Sequence, residues 1–281
     1  MKVYPFKIPK PHNDAIIYQE DHEMIFYDKY HEHEEIQISF ILEGRGTLIV
    51  GDTVNDYTNG DILVIGSNLP HVFKSDVTFG QKSKMLTLFF TRTSFGPHFF
   101  EIEELKSASP FFKRSMNGFK TLSNKKKMAD LFTSLKVASK IDRFLILMNL
   151  IKLLSKAKHE RLSTFIYEKQ YSDLEGKRMR DIMEYTMNNY QDSISLEDIS
   201  NVATMTKNAF CKYFKKRTNK TYFKFLNELR IEQACKLLIS DRDMTIAEIA
   251  AHSGFNNISN FNRIFRRLKK STPKQFAQLH Q

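Results

Sequence analysis

The sequence predicts an α+β protein in three stretches: a β-barrel or jelly roll over residues 1–105, a helical linker and dimerisation segment over 106–177, and an all-α region over 178–281. Three observations predict it. Short strand-like runs broken by glycine-rich turns fill the first hundred residues. Apolar residues at helical spacing crowd the middle. The last eighty-odd residues state one helix-turn-helix pattern twice. At 281 residues the chain is long enough for more than one domain.

In the first stretch the expected strands are Ile36 to Ile41, Thr47 to Val50, Asp61 to Ile65 and Met85 to Phe90. The turns Glu43-Gly44-Arg45-Gly46, Asn59-Gly60-Asp61 and Gly66 to Pro70 punctuate them, as in small antiparallel barrels. Tyr27 to Glu35, Glu43 and Arg45 should flank the mouth of that barrel. A few polar groups set among aromatics suit a small polar ligand.

In the middle stretch, Met128 to Val137 and Ile141 to Leu154 read as helices. Phe144, Leu147, Leu150, Ile151 and Leu154 share helical spacing, and the run from Phe144 to Leu154 is apolar around much of its circumference. That exceeds one buried face, so Phe144, Leu147, Ile151 and Leu154 are expected to form a homodimer contact. Lys125 to Lys127 read as a solvated loop, and Tyr171 to Lys177 as a hinge.

The C-terminal repeat is explicit. Leu196, Ile199 and Met205 recur fifty residues later as Ile246, Ile249 and Phe255, and Phe210 and Phe214 recur as Phe261 and Phe265. Ser195 and Thr245 stand as N-caps with acids in the turn that follows. Ala203-Thr204-Met205 and Ser253-Gly254-Phe255 are the turns. The two phenylalanine pairs face inward at i,i+4. Outward lie Lys207, Asn208, Cys211 and Lys212 in the first copy, and Asn257, Ser259, Asn260 and Arg263 in the second. Such side chains on a recognition helix can reach base edges. Lys215, Lys216 and Arg217, and Arg266 and Arg267, end the helices with cations suited to phosphates. Tyr222 to Ile239 reads as one helix joining the copies. Recognition helices about 34 Å apart would enter successive major grooves, so one chain could read a non-palindromic site.

Charge follows the same division. Residues 1–105 hold 9 basic and 16 acidic residues, net −7, whereas 178–281 hold 18 and 10, net +8. The basic part attracts polyanions. No run of 18 apolar residues and no secretory h-region occurs, and Cys211 and Cys235 read as free thiols, so a cytoplasmic location without a membrane partner is expected.

At this point a resemblance is specific. Leu229 to Ala234, Ile246 to Ala250, Gly254-Phe255, Ser259, Phe261, Arg263, Phe265 and Thr272-Pro273 are similar to the DNA-binding domain of AraC-type transcription regulators, over roughly 178–281. The family usually has Gly before the final Thr-Pro segment, where this chain has Lys270. The equivalent residue in the first copy is Asn219, which tolerates a left-handed backbone. His31-x-His33-x3-Gln37, then Gly44, Gly60, Pro70 and His71, resemble the two motifs of the cupin fold. In metal-binding cupins the matching positions are His, His, Glu and His. Gln37 replaces the acid and weakens affinity for hard cations. His31, His33, Gln37 and His71, with Glu43 and Arg45, are therefore expected to bind a small-molecule effector, with no metal and no cofactor.

The resemblance implies a regulator that binds double-stranded DNA as a homodimer under the control of that effector, with a carbohydrate as the class it favours. It implies contact with RNA polymerase where the output is activation. An enzyme is not expected. The rival reading is a metal-dependent cupin enzyme fused to a DNA-binding domain, which bound Fe, Mn or Ni with turnover would distinguish. A DNA-architectural protein with an inert barrel is the third reading, under which no small molecule alters DNA binding.

Overall fold

The computed structural model describes residues 14–76, 82–166, 172–241 and 243–280. The chain divides into two compact units, 1–176 and 177–281.

The first unit is built on two antiparallel sheets. Strands β1 (Ile17–Glu23), β2 (Ile36–Glu43), β3 (Gly46–Val50), β4 (Thr53–Tyr57), β5 (Ile62–Ile65), β6 (His71–Ser75) and β7 (Ser83–Phe90) come first. Two three-residue strands, β8 (Phe119–Thr121) and β9 (His159–Arg161), come from the stretch expected to be helical. The larger sheet runs β1-β7-β2-β5-β8-β9 and the smaller β4-β3-β6. Each three-residue strand is too short to show a period of two, which is why periodicity does not reveal it.

Strand β2 shows how this arrangement is specified. Successive side chains point to opposite faces. Ile36, Ile38 and Phe40 pack on one face with helical residues such as Phe111, Phe132, Leu147, Ile151 and Leu154. From the other face, Ile41 joins Leu48, Val50, Tyr57, Leu63 and Phe73 in the core between the sheets. The larger sheet is thus covered on both faces, and β2 is buried from Ile36 to Ile41, the polar Gln37 and Ser39 included.

The helical layer comprises α1 (Ser109–Ser115), α2 (Lys125–Ser134) and α3 (Lys140–Lys156), with 3-10 turns at Phe99–Glu101, Glu103–Ala108 and Leu135–Val137. Lys125 to Lys127 begin α2 rather than forming a loop. On α3, Leu147, Ile151 and Leu154 are at most 2% exposed inside their own subunit's core, and Phe144 is half-buried against Phe95 and Phe99. The expected dimer contact through these residues is therefore corrected: their apolar surface is used against the sheet and the neighbouring helices. The exposed large apolar residues of α3 are Ile141 and Leu145, 65% and 52% exposed.

The second unit is helical: α4 (Asp173–Asn189), α5 (Leu196–Val202), α6 (Lys207–Thr218), α7 (Tyr222–Ser240), α8 (Ile246–His252), α9 (Ile258–Lys269) and α10 (Pro273–His280). The expected hinge is shorter than its sequence suggests. Tyr171 lies outside the described residues, but Asp173 to Lys177 already belong to α4. Ser172 starts that helix: its hydroxyl accepts the Glu175 N–H at 3.3 Å, while its own N–H donates to the Glu175 carboxylate at 3.4 Å. This is a capping box. Among the described residues no helix is long and apolar enough to cross a membrane.

Candidate nucleic-acid interface and histidine cluster

The two helix-turn-helix units are α5–α6 and α8–α9. Each opens on a complete capping box, Ser195 with Asp198 and Thr245 with Glu248. The hydrogen bonds to the N-cap backbone and side chain hold the Asp198 and Glu248 carboxyls below their ordinary values. The turns superpose bond for bond. Met205 N–H reaches the Ser200 carbonyl, and Phe255 N–H the Ala250 carbonyl, both at 2.9 Å. Thr206 and Asn257 then cap the recognition helices through their side chains. Both helices end on a left-handed residue, Asn219 at φ 53° and Lys270 at φ 57°.

Packing fixes which face looks outward. In the first unit Phe210 and Phe214 are fully buried, with ring centroids 5.5 and 5.4 Å from Tyr222. In the second, Phe261, Ile264 and Phe265 pack with Ile231, Ala234 and Leu238 of α7. Lys207, Asn208, Cys211, Lys212, Lys215 and Lys216 are consequently exposed on α6, and Arg217 is half-buried beside the Tyr213 ring. Ser259, Asn260, Arg263, Arg266 and Arg267 are exposed on α9.

Several of these side chains already have partners. Lys207 Nζ lies 2.8 Å from Glu197. Arg263 Nη2 donates to Asn260 Oδ1 at 2.7 Å, which joins the two side chains on the exposed face. Asn257 is exposed, but its Oδ1 accepts the Asn260 N–H at 3.0 Å, so half of its amide serves as the cap. Lys269 is bound at 2.6 Å to Glu232 of α7, and Lys220 at 2.7 Å to Glu228 of the same helix. The C-terminal ends of both recognition regions are thus tied to α7. Sequence reasoning missed Ile258, 45% exposed at the first position of α9. An apolar residue outside the Phe261/Phe265 stripe was the available signal.

Arg230 is the other residue that patterning did not reveal. It lies on α7 and donates from Nε to the Tyr190 carbonyl at 2.7 Å and from Nη2 to the Asp192 carbonyl at 2.8 Å. Its guanidinium sits 5.8 Å from the centre of the Phe255 ring. Gln191 adds a 2.9 Å bond to the His252 carbonyl. One side chain therefore joins the end of α4, the middle of α7 and the turn of the second unit.

The first unit contains a second cluster. His31, His33 and His71 are buried, and one ring nitrogen from each lies within 4.8 Å of the other two. Their backbones are joined by paired His31–His71 bonds of 2.8 and 3.0 Å. Each Nδ1 faces a carbonyl two residues away: Lys29 at 2.7 Å, Glu35 at 2.9 Å and Leu69 at 2.8 Å. A carbonyl can only accept, so each Nδ1 carries a proton and donates, and Nε2 is the ring nitrogen turned away from that carbonyl. Carbonyl bonds of this kind orient histidine ligands.

Gln37 Oε1 stands 3.1 Å from His33 Nε2. Two acceptors approach so closely only with a proton or a metal ion between them, or with the amide turned to donate. From Gln37 the polar chain continues to Ser39 Oγ at 2.8 Å and on to Thr87 Oγ1 at 2.9 Å. The donor set fits a divalent transition metal, which His31, His33 and His71 would hold with Gln37 beside them. Bound there, a metal would supply Lewis-acid chemistry.

Glu43 and Arg45 are not part of this cluster. Both are exposed at the β2–β3 turn, and Glu43 pairs with Lys84 at 2.6 Å. They occupy the far end of an eight-residue strand from His33, some 20 Å away at the usual rise per residue. The sequence placed the two turns at one mouth; strand length separates them.

Comparison with known proteins agrees with this division. A helix-turn-helix domain model matches residues 199–278, and a cupin domain model matches 22–79. The chain is similar to YdeC of Bacillus subtilis (strain 168), described as an uncharacterized HTH-type transcriptional regulator, at 24% identity over 90% of this chain and 87% of that protein. It is similar to an HTH-type transcriptional regulator from the cgkA 5' region of Pseudoalteromonas carrageenovora at 35% identity over 100 residues, 36% of this chain and 58% of that protein. The solved DNA-binding domain of AdpA in complex with a target DNA aligns at 22% identity and a TM-score of 0.34, covering 35% of this chain and 87% of that one. A probable AraC family regulator from Rhodopseudomonas palustris aligns at 22% identity and a TM-score of 0.35, covering 37% and 98%. The chain carries a cupin domain ahead of a DNA-binding helix-turn-helix domain, and it is similar to HTH-type transcriptional regulators.

Proposed function

We propose that this regulator reads DNA with both helix-turn-helix units at once and is controlled by a small molecule at the buried polar end of its cupin domain. The observation that supports it most is the pair of exposed cationic recognition helices bound to one shared helix, α7. Arg263 with Asn260, and Asn208 with Lys212, are the assigned base-edge contacts. Ile258 is assigned to a thymine methyl, and Lys216 and Arg266 to phosphates. With about 6–10 phosphate contacts, affinity should fall about 10³–10⁵-fold between 50 and 200 mM salt. A nearly flat salt dependence on duplex DNA would refute the reading.

In the cupin domain the control site is assigned to His31, His33, Gln37 and His71, with Glu43 and Arg45 removed from it. The string from His33 through Gln37 and Ser39 to Thr87 offers alternating donors and acceptors, which match the hydroxyls of a carbohydrate. A ligand drives the switch only if it binds the alternative states with different affinity. The test is a panel of monosaccharides, scored by the DNA affinity of the full chain. A response abolished by His33→Ala supports the reading, and a response that survives this change moves the site elsewhere. The three inward histidines favour a second reading, a metal-dependent enzyme. Stoichiometric metal together with turnover of a small substrate would establish it in place of the sensor.

Assembly as a homodimer is assigned to the outward face of α3. Ile141 and Leu145 are i,i+4 neighbours on α3 and are 65% and 52% exposed, and Val137, in the 3-10 turn before that helix, is 88% exposed. A two-fold dimer joins two DNA-binding domains and raises the effective concentration of the second. Ile141→Glu with Leu145→Glu should give a folded monomer with weakened operator binding. Sedimentation showing an unchanged dimer would exclude this face. Contact with RNA polymerase is assigned only if the output is activation.

A further inference from the structure

On the other face of β2 from the histidines lies a hollow of about 500 Å³, in the size range of small-molecule sites. We propose that it binds a small organic anion with an apolar body, such as an aromatic carboxylate. The charge in it has one sign in excess. Arg92, Lys106 and Lys113 line it against a single lining acid, Glu101. Glu101 is already shared between Arg92 at 3.6 Å and His98 at 2.9 Å, and Lys106 pairs with Glu103. Among the described residues no ion pair holds Lys113, which is exposed at the rim. Residues 1–105 carry net −7 and residues 106–176 net +9, so the unit as a whole is near neutral at net +2, and the excess of cations around the hollow suits an anion.

The body of the ligand follows from the walls. Phe100 and Phe112 stand 4.7 Å apart at 60°, and the Arg92 guanidinium lies 5.5 Å from the Phe112 ring centre. A flat apolar group fits against these rings while its carboxylate reaches Lys113.

The hollow is also wired to the histidine cluster. Its wall residue Ile36 precedes Gln37, which points the opposite way into the cluster. Its wall residue Ser67 lies in the loop Gly66 to Pro70. In that loop the Asn68 N–H donates to the His33 carbonyl at 2.8 Å, and the Leu69 carbonyl accepts from His71 Nδ1. The loop backbone rests on α1 so closely that a Cβ on Gly66 would lie 2.1 Å from the Ser115 carbonyl oxygen. An occupant pressed on Ser67 and Ser115 therefore bears on the loop that orients two of the three histidines. Binding stands without the sensor reading; only its regulatory consequence rests on that reading.

The test is calorimetric titration of the full chain with benzoate, its neutral relative benzamide, and inorganic phosphate. Benzoate should bind saturably at one site, and benzamide and phosphate about tenfold more weakly or worse, because each lacks one half of the recognition. Lys113→Met should weaken benzoate about tenfold, while Lys152→Met, an exposed change outside the hollow, should not. No benzoate binding, equal binding of benzamide, or equal loss in the two lysine variants would overturn the site. DNA affinity with and without benzoate is read separately. Binding lost in Lys113→Met with no change in DNA affinity keeps the hollow and removes its regulatory role. A small molecule that shifts DNA affinity equally in wild type and Lys113→Met, with no benzoate bound, removes the hollow and keeps the sensor.

Discussion

The two helix-turn-helix units solve the same turn with different residues. At φ 53° the first unit places Thr204, whose hydroxyl donates to the Ala203 carbonyl at 2.7 Å. At φ 85° the second unit places Gly254. The difference lies in the surroundings. Thr204 is exposed. A Cβ on Gly254 would lie 2.4 Å from the Tyr190 carbonyl oxygen and 2.8 Å from Arg230 Nε. The second turn is clamped by α4 and α7, and the first is open. The same fold position can therefore tolerate a strained β-branched residue where nothing presses on it, and demands glycine where a neighbouring backbone does.

That contrast predicts its largest effect at Gly254. Gly254→Ala adds a Cβ both to a left-handed backbone and into a carbonyl oxygen, so it should cost about 3 kcal/mol or more. Chemical denaturation of the full chain, followed in the helical unit, measures it; a loss below about 1 kcal/mol would mean that the clamp yields.

Next in size is the clamp itself. Arg230→Leu removes two charge-assisted bonds to Tyr190 and Asp192 while leaving every assigned DNA contact in place. It should destabilise the unit by about 2–3 kcal/mol. It should also relax discrimination between operators whose two half-sites are spaced differently, and Arg230→Lys should restore that discrimination in part. A variant that is destabilised yet keeps the wild-type spacing preference would show that Arg230 acts on folding alone.

The recognition helices come third. Arg263→Ala and Asn208→Ala should each cost about 1–3 kcal/mol on the cognate site and much less on random DNA. Lys216→Ala should weaken both together, as loss of a phosphate contact does. Equal losses of Arg263→Ala on the two DNAs would move it from base reader to phosphate contact.

The smallest effects are gains. Thr204→Gly and Lys270→Gly each relieve a left-handed side chain at an exposed position, and should stabilise by about 0.5–1 kcal/mol. Lys270 is where the family resemblance expects glycine, and the backbone there is left-handed all the same. A loss of stability on either change would place the favourable contacts of that side chain above its strain.

What was legible in the sequence follows from range. Caps, i,i+4 phenylalanine pairs and left-handed C-caps are local rules, so the repeat could be read down to single residues. Strands β2, β3, β5 and β7 were visible as apolar runs. Strand β1, with its consecutive polar residues Tyr18, Gln19, Glu20 and Asp21, was not, and neither were the three-residue strands β8 and β9. The grouping of His31 and His33 with His71 came from the resemblance, and the structure brings these residues together through the His31–His71 bridge. Glu43 and Arg45 were assigned to the same mouth because a turn's position along the chain does not say which end of the barrel it occupies. The apolar girth of α3 was misassigned for a related reason. Ile151 and Leu154 face a sheet whose outer side is also apolar, a demand that sequence periodicity within one helix does not display. Arg230 was hidden because its partners are carbonyls, which every residue carries.

Whether one chain reads DNA with two units held in fixed relation is decided by a base-pair-by-base-pair substitution scan of a selected binding site, using the full chain. Two sensitive blocks per chain, centred about one helical turn apart, are predicted, with Asn208→Ala flattening one block and Arg263→Ala the other. A single sensitive block, or two blocks flattened together by Arg263→Ala, would contradict it.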